Sequence, residues 1–222
     1  MTPVGRGPSA LLVLLVGVII GAGATWAWFT FHGSTAGTGP VAGGIPRPVV
    51  CFTPGGDCTD RIVQAIGAAR QEVLVQAYSF TSPPIAGALE AAQRRGVRVR
   101  VVVDDSQLRE RYSQADEVRR AGVEVWVDDP AGIAHNKVMI IDGEVVITGS
   151  FNFSRSAQER NAENLMVLRD RALAAQYAEN WERRRAVSVP FDQAQRDQGP
   201  PGAANDNDRD RSKRRNARFG LF

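Results

Sequence analysis

The chain has 222 residues, of which 43% are hydrophobic and 23% are charged. These fractions are typical of a globular protein and exclude a chain that is disordered throughout. The sequence pI is about 9.2, but the stretch from Val49 to Phe191 carries 18 Lys and Arg against 19 Asp and Glu. Because the basic excess lies in the terminal segments, bulk charge does not indicate that the folded part binds nucleic acid.

The N-terminal segment, residues 1–32, is predicted to direct the chain to a membrane. Ser9 to Phe31 contains no charged residue and follows Arg6, and such a run is long enough to span a bilayer, which takes roughly 20 residues. The alternative is a cleaved signal peptide with Ala22-Gly23-Ala24 as the cleavage site. Both interpretations predict a periplasmic or other extracytoplasmic location, membrane-anchored in the first case and secreted in the second.

Residues 33–48 are rich in Gly, Pro, Thr and Ala and are predicted to be a linker. The two cysteines, Cys51 and Cys58, follow it. In an oxidising compartment this pair can close a small disulfide ring, and two unrelated free thiols are the alternative. Two cysteines without a second Cys/His cluster do not complete a four-ligand zinc site, so no metal is expected.

Between the terminal segments, predicted strands and helices alternate along residues 49–191. This pattern predicts an α/β fold in which a sheet is sandwiched between helices. The Asp142-Gly143 hairpin makes the sheet mixed rather than purely parallel. The predicted strands are Val49–Phe52, Glu72–Ser79, Val97–Asp104, Val123–Asp128, Lys137–Ile141, Glu144–Thr148 and Asn164–Leu168, and the predicted helices are Thr59–Ala69, Pro83–Arg95, Ser113–Ala121 and Arg171–Arg185.

Residues 192–222 are predicted to form a disordered basic tail. Five Lys and Arg residues lie between Arg211 and Arg218 without an acidic residue among them. A solvated run of charge is one interpretation of this cluster, and contact with anionic lipid or nucleic acid is the other.

The residues that carry chemistry lie at the two ends of the predicted hairpin, which brings them together. Strand alternation places His135 and Lys137 on one face, and Ser150 and Asn152 on a common face of the neighbouring segment. Gly149 has no side chain to block a ligand. An imidazole, an ammonium, a hydroxyl and a carboxamide that converge in this way indicate a phosphate site, in which His135 acts as a nucleophile or proton carrier.

Two acidic residues near this site have different predicted roles. Glu163 can accept the second imidazole proton of His135 and fix the tautomer of the ring. Asp142 is explained by the tight turn alone, so we expect a structural role for it.

The pattern His135-x-Lys137-x4-Asp142-x6-Gly149-Ser150-x-Asn152 resembles the HKD motif of the phospholipase D superfamily at every defined position. The chain is also similar to the single-motif bacterial Nuc-type endonucleases between roughly Val49 and Arg185. The stretches that carry this wider likeness are Tyr78-Ser79-Phe80-Thr81, Arg95-Gly96-Val97-Arg98-Val99, Gly149-Ser150-Phe151-Asn152-Phe153 and Asn161-Ala162-Glu163-Asn164.

The resemblance implies a phosphodiester hydrolase that needs no metal or other cofactor and works through a phosphohistidine. It also implies that Lys137, Ser150 and Asn152 bind phosphate oxygens, and that a second histidine, from a second motif, protonates the leaving oxygen. The only other histidine, His32, lies at the edge of the hydrophobic segment. A two-histidine mechanism therefore predicts a homodimer that shares one active site.

The substrate remains open between two classes. A nuclease is favoured by the small single-motif domain, with Arg155, Arg160 and Tyr78 as candidate groove residues. A phospholipase D acting on phosphatidylcholine or cardiolipin is favoured by the membrane segment and by the lack of net positive charge in the domain. A binding module that has kept the fold without the activity is a third hypothesis, which the presence of both His135 and Lys137 disfavours.

Overall fold

The computed structural model describes residues 47–128 and 132–198 of the chain. Within these ranges, eight strands form one sheet, six α-helices pack around it, and a short 3-10 helix follows the third strand. The strands are β1 (Val49–Thr53), β2 (Glu72–Ala77), β3 (Arg98–Asp104), β4 (Glu124–Asp128), β5 (Lys137–Ile141), β6 (Val145–Gly149), β7 (Glu163–Arg169) and β8 (Val189–Pro190). The helices are α1 (Cys58–Gly67), α2 (Pro83–Arg94), α3 (Ala115–Arg120), α4 (Arg155–Glu159), α5 (Arg171–Val187) and α6 (Phe191–Asp197), with the 3-10 helix at Asp105–Leu108.

The sheet is mixed, as the alternation of elements and the Asp142-Gly143 turn predict. The strand order is β1-β7-β6-β5-β2-β3-β4-β8. β2, β3 and β4 are parallel to one another, and the other neighbouring pairs are antiparallel. The central strands are rich in Val and Ile because both of their faces are buried, which removes the polar alternation of a half-exposed strand.

Helices cover both faces of the sheet. The larger core lies on the face against which α1, α2, α3 and α6 pack, through residues such as Ile66, Leu89 and Phe191. On the other face, α5 buries Ala174 and Trp181 against the central strands. The indole Nε1 of Trp181 donates a hydrogen bond to the Val75 carbonyl at 2.8 Å, so the polar atom of this buried ring is satisfied.

Cys51 and Cys58 form a disulfide, with their Cα atoms 5.5 Å apart. The disulfide interpretation of the pair is therefore confirmed over that of two free thiols. The bond joins the third residue of β1 to the first residue of α1. Because it closes a ring of about eight residues, it constrains the unfolded chain by roughly 2–3 kcal/mol.

The predicted start of the tail at residue 192 is wrong, because α6 continues to Asp197. The amphipathic signal of this short helix is weak, but Phe191 and Ala194 are buried in the larger core and Arg119 pairs with Asp192. Tertiary packing therefore extends the domain by about two turns.

The predicted N-terminal segment, nearly all of the predicted linker and the rest of the tail lie outside the described residues. Between residues 47 and 128 and between 132 and 198, no helix is long and apolar enough to cross a bilayer.

Candidate active site

The predicted site residues, apart from Asp142, lie at one end of the strands, along the edge of the sheet that runs across the strand ends. β2, β3, β4 and β6 end at this edge, whereas β5 and β7 begin there, since Ala77 pairs with Lys137 and Gly149 pairs with Leu165. We call this the active edge. The segment before β5 and the segment after β6 therefore adjoin, which brings His135 and Lys137 to the same end of the hairpin as Ser150.

His135 is exposed at the active edge, two residues before β5. Its ring is 4.6 Å from the ring of Tyr78, centroid to centroid, at an interplanar angle of 54°. Its backbone N–H donates to the Ile133 carbonyl at 3.0 Å. The imidazole is thus supported on one side by an aromatic ring and open to solvent on another.

Lys137 is buried directly beside His135. Its Nζ donates to the His135 carbonyl at 2.5 Å and lies 4.9 Å from the centroid of the Tyr78 ring. Burial lowers the pKa of this ammonium, and the carboxylates of Glu163 and Asp104 act in the opposite direction without cancelling the effect. A phosphate bound here would favour the charged form of Lys137, because the anion would compensate for the solvation that the buried ammonium has lost.

Asp104 anchors the loop that carries His135. This buried residue ends β3, and its Oδ2 accepts a hydrogen bond from the Ala134 N–H at 2.7 Å. Its Oδ1 accepts from the Ser106 N–H at 3.1 Å. Sequence reasoning did not single out Asp104, although a carboxylate at the end of a valine-rich strand is a signal for a polar role at that edge.

Asn136 adds a second attachment for the same loop. Its Nδ2 donates to Gln76 Oε1 at 3.1 Å, and its carbonyl accepts from the Tyr78 N–H at 3.1 Å. His135 therefore lies between two anchored residues: Ala134 is hydrogen-bonded to the end of β3, and Asn136 is hydrogen-bonded to β2 and to Tyr78, which follows it. Such attachment fixes the backbone from which the imidazole extends.

Ser150 follows β6 and is held by Asn164. Its Oγ accepts from the Asn164 backbone N–H at 3.1 Å and from Asn164 Nδ2 at 3.3 Å. Because both bonds use the oxygen as acceptor, the hydroxyl proton can be donated to another group. Asn152 Oδ1 is buried and has no hydrogen-bond partner in the part of the chain that the structure describes.

Gly149 is required by the backbone of β7. Its φ is 148°, and an added Cβ would lie 2.3 Å from the Asn164 carbonyl oxygen. The structure thus gives this glycine a packing reason, because a side chain would push apart the strands that hold Ser150 and Asn164. The expectation that it also leaves space for a ligand stays a prediction.

Glu163 begins β7 at the active edge. Its Oε1 accepts from Asn161 Nδ2 at 3.0 Å, and its charge acts on Lys137. Its predicted role as the partner of His135 stays a prediction, since no hydrogen bond joins the two within the described ranges. The structure brings Glu163 close to the ammonium of the motif, which sequence reasoning did not anticipate.

Asp142 lies at the other end of β5, about 16 Å along the strand from Lys137. It occupies the tight turn with φ of 54°. Its carboxylate accepts the N–H groups of Arg70, Gln71 and Glu72 at 2.9, 2.8 and 3.0 Å. Burial acts to raise the pKa of Asp142, but these backbone hydrogen bonds outweigh it and the net shift is downward. The structure thus gives Asp142 an architectural role.

The candidate groove residues separate into two groups. Tyr78 contacts both His135 and Lys137 and belongs to the site. Arg155 and Arg160 lie on or beside α4, where Arg155 pairs with Glu159 at 2.8 Å and Arg160 donates to Ser156 Oγ at 2.5 Å. Among the residues that the structure describes, no group of three His, Cys, Asp or Glu side chains could hold a metal ion.

Comparison with known proteins identifies relatives of this domain. The family model described as "Cardiolipin synthase, PLD-like domain" matches residues 62–185. A protein named Phospholipase D from Rickettsia prowazekii is 48% identical over 138 residues, which cover 62% of this chain and 67% of that protein. Mitochondrial cardiolipin hydrolase from Canis lupus familiaris is 34% identical over 146 residues, which cover 65% of this chain and 58% of that one.

A solved structure shares the architecture. It is that of Nuc from Salmonella typhimurium, described as a phospholipase D family member. The match has a TM-score of 0.63 and 34% sequence identity, and it covers 65% of this chain and 97% of Nuc. Nearly all of Nuc thus corresponds to the described domain.

Proposed function

This chain belongs to the phospholipase D superfamily of phosphodiester hydrolases, and we propose that it cleaves nucleic acid through a covalent intermediate on His135. The observation that carries the mechanism is that the buried Lys137 ammonium is hydrogen-bonded to the backbone carbonyl of His135, the residue whose imidazole is exposed at the active edge. A cation held in this position attracts a phosphodiester to the nitrogen that attacks it.

In the first step, an imidazole nitrogen of His135 forms a bond to phosphorus, and the bond to one ester oxygen breaks. Lys137, the Ser150 hydroxyl and the Asn152 carboxamide stabilise the charge on the non-bridging oxygens. In the second step, water attacks phosphorus and gives a proton to the group that protonated the leaving oxygen, the phosphorus–nitrogen bond breaks, and the remaining phosphate monoester leaves. Glu163 is proposed to hold the tautomer of His135 or to receive the proton of its other ring nitrogen.

The leaving oxygen needs a proton donor. The sequence contains one other histidine, His32, in the predicted N-terminal segment. We therefore propose that the donor is His135 of a second copy and that two chains share one active site. Neither copy alone would complete the reaction.

Nucleic acid is proposed as the substrate because an aromatic and basic pair lies on a loop that follows β3 at the active edge. The Arg111 guanidinium lies 5.4 Å from the Tyr112 ring centroid, and Tyr112 is 64% exposed. Nucleobases stack on such side chains while arginines contact the backbone phosphates. Arg155 and Arg160, on and beside α4, offer further cationic groups.

A phospholipid is the second candidate substrate. It is favoured by the names of the relatives, Phospholipase D and Mitochondrial cardiolipin hydrolase. The aliphatic side chain of Ile133 also favours it, because it is 62% exposed two residues before His135 and suits contact with a lipid surface better than contact with a base.

We further propose that the enzyme acts outside the cytoplasm, attached to the membrane through its N-terminal segment or released by cleavage. Support comes from the Cys51–Cys58 disulfide, since such bonds persist in oxidising compartments. The uncharged stretch from Ser9 to Phe31 supports export across the membrane.

The test uses the full chain in non-ionic detergent beside a His135→Asn variant, with EDTA present. Substrates are single-stranded DNA, duplex DNA, RNA, and vesicles of phosphatidylcholine or cardiolipin. We expect the wild-type chain to cut nucleic acid and the variant to be inert. Hydrolysis of lipid alone would replace nucleic acid by the second candidate, and loss of activity with EDTA that a divalent ion restores would contradict the mechanism.

A further inference from the structure

Tyr78 contacts both reactive groups of the site. It directly follows β2 at the active edge and is half-buried. The centroid of its ring lies 4.6 Å from that of the His135 imidazole and 4.9 Å from Nζ of Lys137. Its backbone N–H donates to the Asn136 carbonyl at 3.1 Å. The main chain of Tyr78 is therefore fastened to the residue that lies between the two whose side chains its ring contacts.

The contacts that hold the Lys137 ammonium are with neutral groups. They are the His135 carbonyl, at 2.5 Å, and the face of the Tyr78 ring. Among the described residues, the carboxylates of Glu163 and Asp104 act on the ammonium as charges and not as hydrogen-bond partners. An aromatic face attracts a cation without carrying a net charge. The ring therefore orients the ammonium and leaves its positive charge for a phosphate, whereas a paired carboxylate would neutralise it.

The same ring restricts the imidazole of His135. The main chain on either side of His135 is anchored through Ala134 and Asn136, but these hydrogen bonds do not fix the torsions of an exposed side chain. The two rings are tilted by 54° at a separation typical of aromatic pairs. Because Tyr78 occupies volume into which the imidazole would otherwise rotate, it reduces the number of orientations that the reactive nitrogen can take.

Tyr78 is less suited than Tyr112 to a role in a nucleic-acid groove. Its ring is half-buried and already contacts two side chains. Tyr112 is 64% exposed and so offers more surface to a base. The surroundings of Tyr78 therefore favour a role inside the site.

We propose that Tyr78 is a positioning residue for both reactive groups. Its ring keeps the Lys137 ammonium in place without neutralising it and limits the rotation of the His135 imidazole. The inference rests on the proposed mechanism at His135, but not on the choice between nucleic acid and phospholipid as the substrate. Because the ring makes both contacts, the hydroxyl of Tyr78 is not required for this role.

The experiment compares three variants of the full chain in non-ionic detergent with EDTA. Tyr78→Leu removes the ring, and Tyr78→Phe removes only the hydroxyl. Tyr177→Leu is the matched control, because Tyr177 is also half-buried but lies on α5, which packs against the centre of the sheet. Circular dichroism and thermal unfolding confirm that each variant is folded.

Steady-state turnover is measured with the substrate that the wild type prefers and with bis(p-nitrophenyl) phosphate, a phosphodiester too small to need a groove. We expect Tyr78→Leu to lower kcat about 30–100-fold with both substrates, since the reactive groups lose their alignment. KM and the inhibition constant of inorganic phosphate should rise together by no more than about fivefold, because the ammonium remains present but is less well oriented. Tyr78→Phe and Tyr177→Leu should keep kcat within about threefold of the wild type.

Three outcomes would overturn the proposal. One is a kcat for Tyr78→Leu within about threefold of the wild type. Another is a Tyr78→Phe variant as slow as Tyr78→Leu, which would assign the effect to the hydroxyl. The third is an equal loss in Tyr177→Leu, which would assign the effect to the stability of the fold. A rise in KM alone, confined to nucleic acid, would likewise replace the positioning role by a groove role.

The variant His135→Asn separates this proposal from the proposed function. Turnover by His135→Asn would contradict the proposed mechanism itself. An inert His135→Asn variant beside a fully active Tyr78→Leu variant would leave the mechanism in place and contradict only the role of Tyr78.

Discussion

The two ends of β5 carry parts of the same motif but differ in how their polar groups are satisfied. At one end, Asp142 uses its carboxylate to accept three backbone N–H groups and leaves little capacity for a ligand. At the other end, His135 is exposed and Lys137 is buried against a carbonyl and an aromatic ring. Polar groups whose hydrogen bonds are all made within the protein stabilise the fold, whereas polar groups with hydrogen-bonding capacity left over are available for chemistry.

The largest effect expected at the active edge is that of His135→Asn. If the imidazole attacks phosphorus, its removal lowers kcat by at least about 10⁴-fold, and because the side chain is exposed the melting temperature stays within about 2 °C. Steady-state cleavage of the substrate that the wild type prefers measures kcat, and calorimetry measures the melting temperature. Residual activity within tenfold of the wild type would remove His135 from the mechanism.

Lys137→Met removes the ammonium and keeps most of the side-chain volume. We expect kcat to fall about 10²–10³-fold, as for the loss of one preorganised group that stabilises transition-state charge. The fold should tolerate the change, because the position is buried and the methionine side chain is apolar. Inorganic phosphate serves as a binding probe: its inhibition constant should rise in the variant, and an unchanged constant would contradict the predicted phosphate contact.

Asp104→Asn tests a positioning residue. An amide cannot accept both the Ala134 and the Ser106 N–H groups in the same geometry, so the loop bearing His135 shifts. We expect kcat to fall about 10–100-fold with KM changed less than threefold. The pH dependence of kcat should also shift, because the carboxylate that opposes the lowering of the Lys137 pKa is lost.

A purely structural role for Asp104 would give a different result. The free energy of unfolding would fall while kcat and its pH profile stayed as in the wild type for the folded fraction. Ser106→Ala is the matched control, since it leaves the Ser106 N–H and both bonds to Asp104 in place.

Asp142→Asn should have the smallest effect on kcat, less than about threefold, and should instead lower the free energy of unfolding by about 1–3 kcal/mol because three backbone N–H groups lose a charged acceptor. The pKa of Asp142 is lowered in the folded chain. Its stabilisation is therefore fully present above the unfolded value near 3.8 and is lost as the pH falls through the lower folded value.

Urea unfolding between pH 2 and pH 6 measures this contribution. The difference between wild type and Asp142→Asn should shrink below about pH 4. A difference that stays constant over this range would mean that the carboxylate charge is not the stabilising feature.

Much of the fold follows from local patterns. The Asp142-Gly143 turn and the apolar runs on either side predicted the β5–β6 hairpin, and Gly96 and Gly122 marked the ends of two helices. The missed elements are short and depend on side-chain caps or tertiary contact. Ser154 accepts from the Ala157 N–H at the start of α4, and Asp104 caps the 3-10 helix.

The site residues that belong to one motif were predictable from their spacing in the sequence. Those that reach the site only through the topology of the sheet were not. His135, Lys137 and Ser150 meet as the hairpin predicts. Asp104 and Asn164 come from strands distant in sequence, and the sheet order that places them at the active edge is a property of the whole fold.

The crowding at Gly149 has a consequence for mutational surveys. Because any side chain there would collide with the Asn164 carbonyl, a library that scores activity at every position should find Gly149 as intolerant as His135. Intolerance to substitution would then not distinguish the proposed nucleophile from a residue that only lets two strands approach. Separate scores for protein abundance and for turnover would distinguish the two positions. Variants of Gly149 should lose both, whereas variants of His135 should lose turnover alone.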